Sequence, residues 1–141
     1  MRFMLLMIPK GYESAEPGTM PDAPAVTEMM KYNHRLQAAG VLLGLDGLHP
    51  PSMGARVRFI DGQPQVSDGP FAEAAETLGG YWLIDVASRE EAIAWASRCP
   101  AGEHEIIEVR QVQAFEDFAA DVQQVPGFPE MQSPMDDTGA L

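Results

Sequence analysis

The order of segments predicts an α+β fold of the ferredoxin-like, split β-α-β type with an inserted hairpin. Three observations carry it. The run Phe3 to Ile8 is apolar throughout, as expected of a strand buried on both faces. Two later segments, 25–39 and 89–99, place apolar residues at helical spacing. Between them Asp61-Gly62 joins two short runs as a two-residue hairpin turn. The resulting order is β-α-β, hairpin, β-α-β, with two helices on one sheet face.

In the first strand Phe3, Leu5 and Met7 alternate with Met4, Leu6 and Ile8, and Pro9-Lys10-Gly11 ends it. Pro17, Gly18, Pro21 and Pro24 argue for a loop until about Pro24. Ala25, Met29, Tyr32, Leu36 and Ala39 then form one face of a helix that Gly40 stops. His34 and Lys31 fall on its other face, with Asn33 nearer the apolar side. Val41-Leu42-Leu43 starts a second strand, which Gly44, Gly47, Pro50, Pro51 and Gly54 make irregular. Arg56 to Ile60 alternates, and Pro64 confines the return arm, Gln63 to Val66, to an edge.

Asp68-Gly69-Pro70-Phe71 is a run of punctuators. Asp68 suits the cap of a helical turn that Pro70 starts and that runs through Ala72 to Glu76. Gly79-Gly80 releases the chain into the strand Tyr81 to Val86. Ser88 and Glu91 then make a capping box for a helix with a buried stripe of Ala92, Trp95, Ala96 and Cys99. Pro100 and Gly102 stop that helix, and 105–112 is the last main strand. Residues 113–141 hold a short helix at 114–122 and then Val125, Phe128, Met131 and Met135 among prolines.

A length of 141 residues sets one domain. With 21 acidic against 9 basic residues the formal net charge is -12, which repels phosphate backbones and disfavours nucleic acid and anionic membranes as partners. The opening apolar run is too short for a secretory leader or a membrane span, so a cytoplasmic location is expected. A lone Cys99 forms no internal disulfide. His34, His49 and His104 lack metal-ligand spacing, and no cofactor fingerprint is present, so neither metal nor cofactor is expected.

The run Asp68-Gly69-Pro70-Phe71-Ala72-Glu73, followed by Gly79-Gly80-Tyr81, resembles the signature of the YCII-related family, DGPF branch. Gly47-Leu48-His49-Pro50 is similar to that family's GLxP turn, and Glu108-Val109-Arg110 to its EVR strand. The resemblance makes 1–112 a YCII-related domain and 113–141 a C-terminal extension. At Ala74 and Ala75 the family carries Thr and Lys, so no role that needs a loop lysine carries over. The resemblance implies a dimeric α+β barrel. Two helices cover one face of a sheet whose strands are apolar on both, and a second copy is the simplest cover for the other. Some catalytic relatives in the wider superfamily use a His and Asp pair, but the helical position concerned falls nearer Met29 than His34.

Asp68 and Glu73 are the candidate catalytic carboxylates, with Glu76 beside them, if burial raises a pKa enough to make a general base. Capping explains Asp, Gly and Pro at this spacing without any substrate, and is the favoured reading of Asp68. Tyr81, Arg110 and His49 are candidate ligand contacts, with Arg110 as an anion clamp. The plainer readings are a Glu108–Arg110 cross-strand ion pair and a surface imidazole at His49. Two functional readings follow. One is a homodimer that binds or converts a small aromatic or carboxylate ligand in a polar cleft near the 68–71 loop. The other is a non-catalytic accessory protein with a basic protein partner, because DGPF-type proteins resemble companions of extracytoplasmic-function sigma factors and the chain is acidic. In either case the extension is expected to lie across the dimer near that loop.

Overall fold

The computed structural model describes residues 1–72 and 76–131. Its main elements are β1 (Arg2–Ile8), α1 (Ala23–Ala38), β2 (Leu42–Gly47), β3 (Ala55–Ile60), β4 (Gln63–Asp68), β5 (Gly80–Asp85), α2 (Arg89–Ser97) and β6 (Ile106–Gln111). β2, β5, β1 and β6 form an antiparallel sheet in that order, and β3 pairs with β4 in a separate two-stranded sheet. This is the expected ferredoxin-like α+β arrangement with an inserted hairpin.

The helices pack on one sheet face because strand alternation sends every second side chain there. Phe3 and Leu5 of β1, Trp82 and Ile84 of β5, Tyr32 and Leu36 of α1, and Ala92 of α2 share one buried core. The other face carries the intervening residues: Leu6 lies between Tyr81 and Glu108, and Met4 between Leu83 and Arg110. Those two methionine and leucine side chains are half-buried. The first strand is therefore apolar on both sides, as its sequence indicates.

α1 begins two residues before the expected Ala25, because Asp22 accepts a 2.9 Å hydrogen bond from the Ala25 N–H and Pro24 fits the first turn. Gly40, with φ 73°, closes it. At α2 the Ser88 hydroxyl accepts from the Glu91 N–H, but the Glu91 carboxylate returns to the Ala87 N–H and not to that of Ser88. Ala92 is the fully buried member of the α2 stripe, while Trp95, Ala96 and Cys99 are half-buried at its margin. The Tyr32 hydroxyl donates to the Trp95 carbonyl at 2.8 Å and ties the helices together.

The β3–β4 arm turns through Asp61 and Gly62, both left-handed at φ 52° and 77°, as a type I′ turn requires. Every residue of both its strands is exposed. Its base is fixed where the Gly69 N–H donates to the Gly54 carbonyl at 2.9 Å. A Cβ on Gly69 would overlap the Pro51 carbonyl oxygen, so only glycine allows that approach. The peptide bond between Gly69 and Pro70 is cis. Residues 70–71 carry no helical structure, so the helical turn expected to start at Pro70 does not begin there.

Past β6, the expected helix at 114–122 is replaced by a 3-10 turn at Phe115–Asp117 and the short helices α3 (Ala120–Gln123) and α4 (Phe128–Met131). Phe128 meets Phe118 edge-on at 4.9 Å and Phe115 at 5.8 Å. Three phenylalanines spaced along the segment thus give it a local centre, while Val125 and Met131 stay exposed. Met135 lies outside the described residues.

Candidate functional site

The loop at 68–72 meets the arm in a cleft of about 460 Å³. Its floor follows from strand register. Arg56 stands opposite Ser67 and Arg58 opposite Gln65, so two guanidinium groups, a hydroxyl and an amide share one face of the hairpin. Phe71 closes one side, and the Arg56 guanidinium lies over its ring at 4.0 Å, a stacked cation–π contact that holds the fork in one orientation. Among the described residues no carboxylate forms an ion pair with Arg56 or Arg58. In a chain of net charge -12, two such cations facing one concavity form a local anion-attracting field.

Asp68 lines this cleft at the end of β4. Among the described residues no hydrogen bond to its side chain supports the capping role that the sequence suggests. Glu73, the other candidate carboxylate, lies outside the described residues. Glu76 is exposed. Tyr81 belongs elsewhere: it lines a second pocket, and its hydroxyl donates to Asp46 Oδ2 at 3.1 Å. That hydrogen bond, reinforced by the carboxylate charge and some burial, raises the Tyr81 pKa above 10.0, so the phenol stays a donor. Arg110 shares the open sheet face with Tyr81, one row along and two strands away. It is engaged with Glu108 of its own strand at 3.3 Å, which corrects the expected cross-strand pair. His49 is an exposed loop residue.

The proposed catalytic and ligand-binding residues therefore do not converge on one place. Asp68 stands with Arg56 and Arg58, which the sequence reading passed over, and Tyr81 stands with Asp46. The missed signal was an Arg-x-Arg alternation on a strand beside a type I′ turn.

A family model for the YCII-related domain matches residues 1–116. The chain belongs to the YCII-related domain family. The matched span takes in all six strands, both main helices and both concavities. The chain is also 36% identical over 75 residues to an uncharacterized protein of Rhizobium meliloti (strain 1021). That similarity covers 53% of this chain and 60% of the relative. Among the described residues no group of three or more His, Cys, Asp or Glu side chains is placed to hold a metal ion. No helix among them is long and apolar enough to cross a membrane.

Proposed function

We propose that this YCII-related chain, of the DGPF branch, is a small-molecule-binding homodimer whose ligand is a small carboxylate, aromatic in the simplest case. It is held in the cleft between the β3–β4 arm and the 68–72 loop. The observation that carries this reading is the pair Arg56 and Arg58, set opposite Ser67 and Gln65 and free of carboxylate ion pairs among the described residues. Guanidinium forks take carboxylates bidentately, and Phe71 offers a ring for an aromatic ligand to lie beside. Asp68 then positions the ligand or acts as a base on it, with Glu73 the second candidate carboxylate.

Dimerisation through the open sheet face supports the same reading, because Met4, Leu6, Ile8, Leu83 and Ile106 give that face an apolar stripe that neither α1 nor α2 covers. The extension at 113–141 packs on the dimer, with Val125 and Met131 as the apolar groups available to do so. A half-buried free thiol at Cys99 suits the reducing cytoplasm. Benzoate titrated into nitrogen-15-labelled protein should move the Arg56 and Arg58 side-chain signals and the Ser67 amide. The Arg56→Ala, Arg58→Ala double variant should abolish those shifts. If wild-type signals stay in place, or the double variant binds as well, the cleft is not an anion site.

A second reading is supported by the other face of the arm, where Val57, Phe59 and Val66 are 51%, 76% and 69% exposed. Three large apolar side chains in one stripe suit a protein partner, as an accessory role beside a basic transcription factor would require.

A further inference from the structure

Beneath α1 the sheet carries a gap. Strand alternation sends Met7, Leu45, Gly47, Gly80 and Trp82 to the helix face, where pairing sets them in two rows. In one row Trp82 stands between Leu45 and Leu5; in the next Gly80 stands between Gly47 and Met7. Two adjacent glycines leave the second row without side chains, and a pocket of about 180 Å³ lies there, walled by Met7, Met29, Asn33, Leu45 and Trp82. That is room for about six waters, or for one ring with a short substituent. Packing requires glycine at 80, where a Cβ would stand 2.8 Å from the Asp46 carbonyl oxygen. Nothing of that kind requires it at 47: its φ is not left-handed, and among the described residues a Cβ there meets only the Gly79 carbonyl oxygen, at 3.9 Å. What glycine provides at 47 is an open mouth at the exposed β2 edge, whereas Asn33, Gly80 and Trp82 at the inner end are buried.

Hydrogen bonds settle what the inner end offers. The Trp82 indole N–H donates to Asn33 Oδ1 at 2.7 Å, which uses the amide oxygen and locks the Asn33 orientation. Asn33 Nδ2 has two hydrogens, and its contact is with the weakly accepting Met30 sulfur at 3.7 Å. Among the described residues no oxygen accepts from Nδ2, although the Asn33 side chain belongs to a residue only 8% exposed. A buried amide hydrogen without a good acceptor is costly, so an acceptor brought by a ligand gains more here than at the surface. Charge is absent from these walls. By register the Asp46 and Tyr81 side chains stand on the open face, where they bond to each other, so those two residues meet the pocket through their backbone.

We infer that this pocket is a binding site for a small uncharged molecule, a single apolar ring bearing a carbonyl group, of the aryl ketone or aldehyde class. The carbonyl oxygen accepts from Asn33 Nδ2, and the ring lies over the two glycines among Met7, Met29 and Trp82. Methionine side chains adapt to a flat ring, and burial of that ring supplies most of the affinity. A charged ligand would lose its hydration and find no opposite charge inside. Trp82 holds Asn33 in place and is thus a positioning residue. The inference does not rest on the anion reading of the arm, since no lining residue is shared between the two concavities.

The test uses full-length protein and acetophenone as the probe, followed by the Trp82 indole and Asn33 side-chain amide signals in nitrogen-15 spectra. Acetophenone is expected to move both in a saturable way, and benzoate at equal concentration to leave both in place. Gly47→Val puts a strand-favouring side chain into the open mouth. It should leave the melting temperature unchanged and weaken acetophenone roughly tenfold or more, because the added methyl groups take up ligand volume. Asn33→Asp keeps an oxygen for the Trp82 indole but removes the amide donor, and should weaken acetophenone roughly fivefold, as loss of one neutral hydrogen bond does. If Asn33→Asp unfolds, Gly47→Val alone decides. Unmoved signals with acetophenone, an equal response to benzoate, or wild-type affinity in either folded variant would each overturn the proposal.

Discussion

β4 and β5 are both six residues long, and each pairs along its whole length with one neighbour, β4 with β3 and β5 with β1, yet they end in opposite environments. β5 buries Gly80, Trp82 and Ile84 on alternate positions between β1 and β2, while β4 exposes all six of its residues beside β3 alone. The difference lies in neighbours. A central strand has a partner on each side and helices on one face, so its alternation becomes a core; an arm of two strands has neither and is marginal by itself. Each region holds a concavity among the described residues, and their chemistry follows from this. The body pocket is small and walled by packed apolar side chains such as Met7, Met29 and Trp82. The arm cleft is larger, solvent-exposed and cationic.

The largest expected effect breaks the body. Trp82→Ala removes the edge-on contact with Tyr32, whose ring centroid is 5.5 Å away. It also strips Asn33 of its partner, for a cost of about 3–5 kcal/mol. Urea unfolding followed by far-ultraviolet circular dichroism should show the loss, and a change of under about 1 kcal/mol would mean that the core is not organised around Trp82.

Gly69→Ala should come next, at about 1–3 kcal/mol, because the added methyl collides with the Pro51 carbonyl at the root of the arm. Its effect should be local: amide exchange should speed up across 55–68 while β1 and β5 keep their protection. Faster exchange in β1 would show that arm and body unfold as one.

Gly62→Ala, at φ 77° in the turn, is expected to cost about 1–2 kcal/mol and to stay within the arm. Its sharpest readout is the amide exchange of Gln63 and Gln65.

The smallest effect concerns alkaline pH. Burial, with Glu105 adding to it, pushes the Cys99 thiol from 9.0 up to about 11. Between those values the unfolded chain has released a proton that the folded chain keeps, so stability is whole below pH 9 and falls as pH rises toward 11. Tyr32, raised mainly by burial, acts in the same direction at higher pH. The slope of melting temperature against pH over this window should be shallower in Cys99→Ala, and an identical slope would remove Cys99 from the account.

Much of the fold was legible because its signals are local. The two-sided apolar run of β1, the Asp61-Gly62 turn, Gly40 and the Ser88 cap each dictate backbone geometry through their own chemistry, and each stands where the sequence places it. The sites were less legible because they depend on register and on which strand neighbours which. Asp68 and Tyr81 are close in sequence but line different concavities. Arg56 and Ser67 are eleven positions apart but directly opposed, a fact that only the pairing of β3 with β4 supplies. Trp95 read as core from helical spacing, whereas Trp82 occupies the core because β5 is central. No periodicity ranks two tryptophans by the strand order of a sheet not yet known.

The most direct test of a cationic cleft in the arm is a residue-resolved titration of the wild-type protein with benzoate. Shifts are expected around Arg56, Arg58 and Ser67, with the β1 and β5 amides left in place. Shifts centred on β1 and β5, or none in the arm, would contradict it.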